Sequence, residues 1–480
     1  MQLPKETTNK EYIAYKLKQF KNSQPNPKDG KMFGYVFYAN EQIEEIIKLA
    51  YNEFLNENGI APTVFTSLKK MENDIVQITA NQLNGGNTVV GNLTSGGTES
   101  LLLAVKTARD YAKTIHPTIT QPEIILPVTA HSSFFKAAAY FNVKPIIVPV
   151  DHDFKINIPA VRNAINENTI LLVGSAPNYS QGVMDDIEAL SRLAQQYNIL
   201  LHVDACMGGW ILPTMREMGY IIPPFDFKLD GVTSISVDLH KYAYTAKGCS
   251  VLLWKNNDLR KQQYFACNEW TGYALVNPTM TSTKPGGSIA AAWAVLHYLG
   301  KEGYQKITKQ TLIATDTLIT EIPKIDGLYI LGKPISTLIA FGSKKYNIHK
   351  IADELTEMGW TVTPQLANGE VPASIHLTIT FSNVPQINKF IQDLKNAVEK
   401  VSKFSLKNMK DSVTISTAKK LIENLSPENL DKLLLLVGIG KGQEAPKNLA
   451  MISGLMEIAP KSLVKQLLLD FFIEMYTPNK

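Results

Sequence analysis

The feature that most constrains the fold is an alternation running through residues 57–305. Six short apolar runs, at 123–128, 144–150, 169–175, 199–204, 231–237 and 249–254, are separated by stretches with helical spacing such as 185–197. Apolar runs of this length suit strands buried on both faces, and strands alternating with helices suit a mostly parallel, doubly wound sheet. The pattern predicts an α/β domain over 57–305, in which ligands gather at the carboxyl ends of the strands. Residues 1–56 combine a polar start, a break at Pro25 and Pro27 and a helical stretch over 40–56, read as an arm packing on a partner subunit. From residue 306 the pattern becomes helix, then strand pairs near 328–331 and 375–381, then helices, which predicts a smaller α+β domain over 306–480. A chain of 480 residues is too long for one compact core, so this division is expected.

Two of the apolar runs end in groups with related chemistry. Asp204 closes the run 199–204, and the run 231–237 opens into SVDLHKYAYTAKG at residues 236–248, which carries Lys241. A lysine in a partly desolvated pocket loses some preference for its charged form, and its free amine can then form an imine with an aldehyde cofactor. A carboxylate such as Asp204 can keep a pyridine nitrogen protonated, so that the ring accepts electrons. Together the two suggest a pyridoxal phosphate site. An isolated His240-Lys241 pair suits a solvated loop at least as well, so the upstream segments carry the choice.

A cofactor phosphate needs a dense set of backbone donors. TSGGTES, residues 94–100, offers them: Gly96 and Gly97 let the backbone approach closely, Thr98 adds a hydroxyl, and the LLLAVKTARDYA that follows has helical apolar spacing. An anion at such a helix start meets unpaired N–H groups and the positive end of the dipole. The same residues suit an ordinary capping box, with Glu99 or Thr98 serving Ser95. Farther along, His131 follows the run 123–128 and precedes a helix. It can be a helix-entry residue with a local hydrogen bond. Its place at the carboxyl end of a strand favours an imidazole stacked on a ligand ring.

The segments TSGGTES, AHSSFFKAA, GSAPNYSQGVMDDIEAL, HVDACMGGW, SISVDLHKYAYTAKG and KPGGSIAAAWAVLHYLGKEGY occur in an order and spacing that resembles the sphingosine 1-phosphate lyases, within the fold-type I, group II pyridoxal-phosphate decarboxylase superfamily. The resemblance extends from about residue 34 to the C-terminus. Its lyase-specific part rests on Cys206 with Gly208 and Gly209 after Asp204, and on Lys247 six residues past Lys241. It implies a fold-type I transferase-like architecture and a pyridoxal 5'-phosphate cofactor. In that reading Lys241 carries the Schiff base, Asp204 pairs with the pyridine nitrogen and His131 stacks on the ring. Gly97, Thr98 and His240 hold the phosphate, which the turn at Pro285, Gly286 and Gly287 reaches from a neighbouring subunit of a homodimer. Lys247 stands near the substrate as phosphate ligand or proton carrier. The implied reaction is retro-aldol cleavage of a phosphorylated long-chain amino alcohol to a long-chain aldehyde and phosphoethanolamine.

The chain departs from the lyase pattern where substrate choice is concerned. Ala61 replaces the usual histidine of a His-Pro pair, residues 64–68 lack the usual Pro-Gly, Tyr273 breaks the glycine pair after Trp270, and Lys284 stands where arginine is common. Lysine and arginine are not equivalent at a bidentate phosphate site. These departures leave two rivals open. An amino acid decarboxylase uses the same cofactor residues with a different bond aligned to the ring, and a protein of this fold can bind the cofactor without turnover and act through interactions.

Hydrophobic content of 45% fits a globular protein, and a net charge of +4 over this length is too small to argue for nucleic acid. Three cysteines without CxxC spacing (Cys206, Cys249, Cys267) suggest reduced thiols and a cytoplasmic location. No signal peptide, N-terminal anchor or 18-residue apolar run is read in the sequence, so no spanning segment is expected. The histidines lack HExxH spacing, so no metal is expected. GIGKG at 438–442 lacks the serine or threonine of a phosphate loop and is read as a turn. The amphipathic stretch 462–476 is read as core or interface packing rather than a membrane-surface helix.

Overall fold

The structure is a computed structural model that describes residues 2–405 and 449–478; the GIGKG turn lies outside the described residues. Its centre is a seven-stranded sheet: β1 (Val90–Thr94), β2 (Glu123–Pro127), β3 (Lys144–Val148), β4 (Thr169–Ser175), β5 (Leu200–Asp204), β6 (Ser234–Val237) and β7 (Ser250–Trp254), in the order β1-β7-β6-β5-β4-β2-β3. β7 runs antiparallel to both β1 and β6, and the remaining pairs are parallel. All six apolar runs are strands. β2, β4 and β7 are buried at every residue, as strands covered by helices on both faces must be, whereas the edge strand β3 is buried only at Val148 and exposed at Lys144 and Ile147.

Local chemistry sets the helix boundaries. Asn40 caps the helix Glu41–Glu53 by accepting the Ile43 N–H at 2.9 Å, and Asp186 caps Ile187–Tyr197 by accepting the Ala189 N–H at 2.9 Å. Asn198, at φ 52°, ends the latter helix in the left-handed region that asparagine tolerates.

A hairpin of β8 (Phe265–Cys267) and β9 (Leu275–Asn277) leads to the helix Gly286–Glu321, which is broken at Gly300 (φ 51°). Past that break Tyr304, Ile307 and Leu312 still pack on the first core, and Ala314, Leu318 and Ile322 join a second. The second core covers a four-stranded antiparallel sheet of β10 (Leu328–Ile330), β11 (Leu338–Ser343), β12 (Thr363–Gln365) and β13 (Ser374–Thr378), in the order β10-β11-β13-β12.

The expected N-terminal arm is divided among several partners within the chain. Phe33 is fully buried in the second core against Trp360 and Phe390, its N–H bonds the Thr361 carbonyl at 2.8 Å, and Asn383 donates to the Gly30 and Met32 carbonyls. The helix Glu41–Glu53 lies on the helix beginning at Gly286, where a Cβ on Gly287 would stand 2.9 Å from the Tyr51 ring. The first helix, Lys10–Asn22, has no buried residue and exposes Tyr12, Tyr15, Leu17 and Phe20. At the other end, the helix Lys461–Met475 buries Leu463 and leaves Leu468, Leu469, Phe472 and Ile473 exposed, so its apolar face is largely uncovered in the single chain. Among the described residues no helix is long and apolar enough to cross a membrane.

Candidate active site

The carboxyl ends of β1, β2, β4, β5 and β6 meet on one edge of the sheet and enclose a cavity of about 390 Å3. Each contributes a loop: Ser95–Glu99 after β1, His131 after β2, Ser175, Pro177 and Tyr179 at the end of β4, Asp204, Cys206 and Met207 from β5, and Asp238, His240 and Lys241 after β6. Six of the residues singled out in the sequence, Gly97, Thr98, His131, Asp204, His240 and Lys241, line this cavity. Lys247, Gly286 and Gly287 are not among its lining residues.

Lys241 differs from expectation in its charge. Its Nζ lies 3.0 Å from Oδ2 of the buried Asp238. Burial works against the ammonium, but the Asp238 charge, with that of Asp204 behind it, outweighs burial and holds the lysine above its ordinary pKa. The expected loss of preference for the charged form is therefore reversed in the single chain. Desolvation alone would give that loss; the carboxylate three positions upstream, which a turn brings back onto the amine, opposes it. Asp238 is held below the usual carboxylate range in return: burial alone would raise it, and the charges of Lys241 and His240 override that.

Asp204 is placed by strand alternation. Residues two apart on β5 share a face, so His202 and Asp204 point the same way. The His202 imidazole is fully buried, with Nδ1 2.8 Å from Ser234 Oγ and Nε2 3.2 Å from Ser236 Oγ, and burial pushes its pKa down to about 4. Ser236 in turn lies 3.5 Å from Asp204 Oδ1, which also accepts the Cys206 N–H at 3.1 Å. The carboxylate is thus oriented from one side by a neutral, hydrogen-bonded row.

The helix start at Gly97 presses into the floor of the cavity. A Cβ there would stand 2.6 Å from Asp238 Oδ2 and 3.0 Å from Cys206 Sγ, so only glycine permits this approach. Glu99 does what the capping reading expects: its carboxylate accepts the Ser95 N–H at 2.5 Å and also the Met280 N–H at 2.6 Å, tying the turn to the segment that follows β9. Capping and cradle are therefore compatible. Thr98 Oγ1 lies 2.9 Å from Ser133 Oγ, which lies 2.9 Å from His131 Nδ1; Nδ1 also accepts the Ser133 N–H at 3.2 Å. His131 thus has the local bond of a helix-entry residue and faces the cavity as well. His240 accepts the Cys249 N–H at Nδ1, and a Cβ on Gly96 would stand 3.5 Å from its ring, beside the cradle.

A pyridoxal phosphate fits this set of groups. A lysine amine, a strand-end carboxylate, a glycine-lined helix start and an imidazole face a common space, with a floor that a single Cβ would fill.

The three residues outside the cavity have other surroundings in the single chain. Lys247 keeps part of its surface exposed, its Nζ 5.1 Å from the Phe37 ring centroid; partial desolvation by the surrounding protein, and then the Lys241 charge, push its pKa down to about 8. Gly286 and Gly287 begin the long helix, where a Cβ on Gly286 would stand 2.9 Å from the Phe54 and Glu57 carbonyls. Their smallness serves close packing inside this chain. Lys284 pairs with Glu72 at 2.5 Å. Tyr273 is exposed and its carbonyl accepts from Trp270 Nε1.

Asp238, Ser175 and Tyr179 were passed over in the sequence. Asp238 was signalled by its position three residues before Lys241, and Ser175 and Tyr179 by lying at the carboxyl end of a recognised strand.

Comparison with known proteins identifies the family. A profile described as pyridoxal-dependent decarboxylase conserved domain matches residues 55–344. The sphingosine-1-phosphate lyase of Arabidopsis thaliana is 43% identical over 78% of this chain and 69% of its own length, and that of Mus musculus 36% identical over 84% and 70%. The chain belongs to the sphingosine-1-phosphate lyase family. Within that family, the solved structure of the Burkholderia pseudomallei lyase superposes with a TM-score of 0.80 at 33% identity, covering 85% of this chain and 94% of that one. The glutamate decarboxylase of Lactobacillus brevis shares the fold, with a TM-score of 0.73 at 21% identity over 84% and 95%. The resemblance seen in the sequence and the fold-type I class are thereby established, as is pyridoxal phosphate as the cofactor of the family. A second profile, described as pyridoxal-dependent enzyme, C-terminal putative HTH domain, matches residues 415–473, inside the stretch expected to form one α+β domain. Its described residues form the helices Leu449–Ile458 and Lys461–Met475.

Proposed function

We propose that the chain is a pyridoxal-phosphate-dependent carbon–carbon lyase that cleaves a phosphorylated long-chain amino alcohol of the sphingosine 1-phosphate type. The observation that carries this reading is the convergence of Lys241, Asp204 and the Gly97 helix start on one cavity in a chain of the lyase family. Bound there, the cofactor supplies a sink for the electron pair released when a bond next to the substrate amine breaks. Lys241 would hold the cofactor covalently, and the Asp238 carboxylate, 3.0 Å away, would stabilise the lysine in its ammonium form once substrate has displaced it. Asp204 keeps the proton on the pyridine nitrogen, His131 stacks on the ring, and Gly97, Thr98 and His240 receive the phosphate. Loss of the proton from the substrate 3-hydroxyl and rupture of the C2–C3 bond give a long-chain aldehyde; reprotonation at C2 gives phosphoethanolamine.

In this reading the protein is a homodimer in the cytoplasm. The uncovered helix Lys10–Asn22 and the exposed Trp270 and Tyr273 are surfaces that a second copy would bury, and Gly286 and Gly287 would serve the phosphate of the partner's site. Free cysteines at Cys206, Cys249 and Cys267 suit a reducing compartment.

A decarboxylase has its own support: a probable L-aspartate decarboxylase of Thermococcus gammatolerans is 31% identical over 82% of this chain and 99% of its own. Product analysis separates the two. Incubation with a phosphorylated sphingoid base should release long-chain aldehyde, and incubation with aspartate or glutamate should release no carbon dioxide. Carbon dioxide without aldehyde would transfer the protein to the decarboxylases.

Lys247 offers a finer test. With its pKa near 8 it can bind phosphate as a cation or carry a proton near neutral pH. Lys247→Met should keep the visible absorption of the loaded protein, since Lys241 is untouched, and lose at least about 10-fold in turnover of the phosphorylated substrate. Turnover at the parent rate would leave Lys247 as a surface residue on Phe37.

A further inference from the structure

The second core reaches into the active site. Tyr242 and Tyr244, in the turn that carries Lys241, bond the segment that follows β13: Tyr242 Oη donates to the Ile379 carbonyl at 3.0 Å, and the Phe381 N–H donates to Tyr244 Oη at 3.2 Å. On β13 itself lies His376, wholly buried between Ile375 and Leu377. Its ring centroid is 4.1 Å from that of Tyr179 at an interplanar angle of 34°. Its Nδ1 lies 3.2 Å from the Ser180 carbonyl oxygen and its Nε2 2.8 Å from Thr378 Oγ1.

These contacts fix the ring completely. A carbonyl only accepts, so Nδ1 carries the proton, and Nε2 is left to accept from the Thr378 hydroxyl. The imidazole is neutral in that arrangement, in keeping with burial that pushes its pKa down to about 4. A phenylalanine would fill this space without desolvating two nitrogens. What the histidine adds is direction: one edge grips the backbone of Ser180 while the face supports the adjacent Tyr179 ring, which lines the cavity with Lys241. Burial pushes the Tyr179 phenol up, so it stays a donor at neutral pH.

We propose that His376 is a positioning residue for the reaction, acting from the second core through Tyr179 to set where the phenol stands over the Lys241 cavity. The turnover arm of its test rests on the lyase reading, and a second arm does not. A double-mutant cycle separates action through Tyr179 from general packing. His376→Phe keeps a stacked ring and loses both hydrogen bonds. It should lower turnover by about 10-fold, with cofactor loading and thermal midpoint near those of the parent, because small displacements of a positioned group are costly. In a Tyr179→Ala background the same change should alter turnover by less than about 2-fold. His376→Asn, which keeps a donor toward Ser180, should recover part of the loss; if H376F does not fold, H376N takes its place in the cycle.

The substrate-free arm follows the visible cofactor band against pH. Tyr179→Ala should move its midpoint, His376→Phe should move it the same way, and the double variant no further. The proposal is overturned if the two substitutions multiply in turnover, if His376→Phe leaves the midpoint in place while Tyr179→Ala moves it, or if Tyr179→Ala moves neither reading. Failure of the parent to cleave phosphorylated sphingoid bases would end the lyase reading alone, and the titration would still decide the role of His376.

Discussion

Lys241→Ala is expected to remove the visible absorption of the protein reconstituted with pyridoxal phosphate and to lower turnover by at least about 1000-fold, the scale typical of losing a covalent catalytic group. It should also be destabilised. With the ammonium gone, Asp238 becomes an uncompensated buried charge, a situation that costs on the order of 3 kcal/mol. The double variant Lys241→Ala with Asp238→Asn should recover thermal stability and remain inactive, which separates the two roles of the lysine. In the parent the pair also sets a pH window. Asp238 sits below its ordinary value, so its stabilisation is present above the unfolded carboxylate pKa and lost as acid takes the pH through the folded one; Lys241 sits above its ordinary value, so its share is present below the unfolded lysine pKa and lost in base. Cofactor-free protein should therefore be most stable between about pH 4 and pH 10 as far as this pair is concerned. A colourless parent after reconstitution would remove the basis of the functional reading.

Asp204→Asn should fold, bind cofactor and lose on the order of 100-fold or more in turnover. The amide oxygen can still accept the Cys206 N–H, which leaves the turn after β5 in place. A neutral amide cannot hold a proton on a pyridine nitrogen, so the loss falls on the chemical step and not on binding. Turnover close to the parent's would mean that another group faces the ring nitrogen.

The strand-rich edge that forms the site was legible because its strands are continuous apolar runs and its chemistry lies where they end. β1 was missed: it is short, and Gly91 interrupts its apolar pattern, although a Cβ there would stand 2.5 Å from the Leu252 carbonyl. β11 and β12 were missed in the second sheet, where six- and three-residue strands give little periodicity. The sign of the Lys241 shift was misjudged because it depends on a charge brought close by a turn. Gly286 and Gly287 read as residues that reach the phosphate of a neighbouring subunit; within this chain their nearest atoms belong to Tyr51, Phe54 and Glu57, a packing the sequence did not show. Pairings of that kind, like the grip of His376 on Ser180, join residues far apart in the chain and leave no periodic trace.

The burial of Phe33 also has a bearing on synthesis at the ribosome. The Asn383 side chain holds the Gly30 carbonyl across a separation of 353 residues, and Val401 belongs to the same core as Phe33. A nascent chain can form the central sheet once β7 has emerged, but Gly30, Met32 and Phe33 lack their partners Trp360, Thr361, Asn383 and Phe390 until that part of the chain is made. Loops this long close late and slowly. The N-terminal stretch therefore stays open to proteases and chaperones through most of translation, and the two tyrosines that follow Lys241 gain their anchor at Ile379 and Phe381 only when that part of the chain has been made.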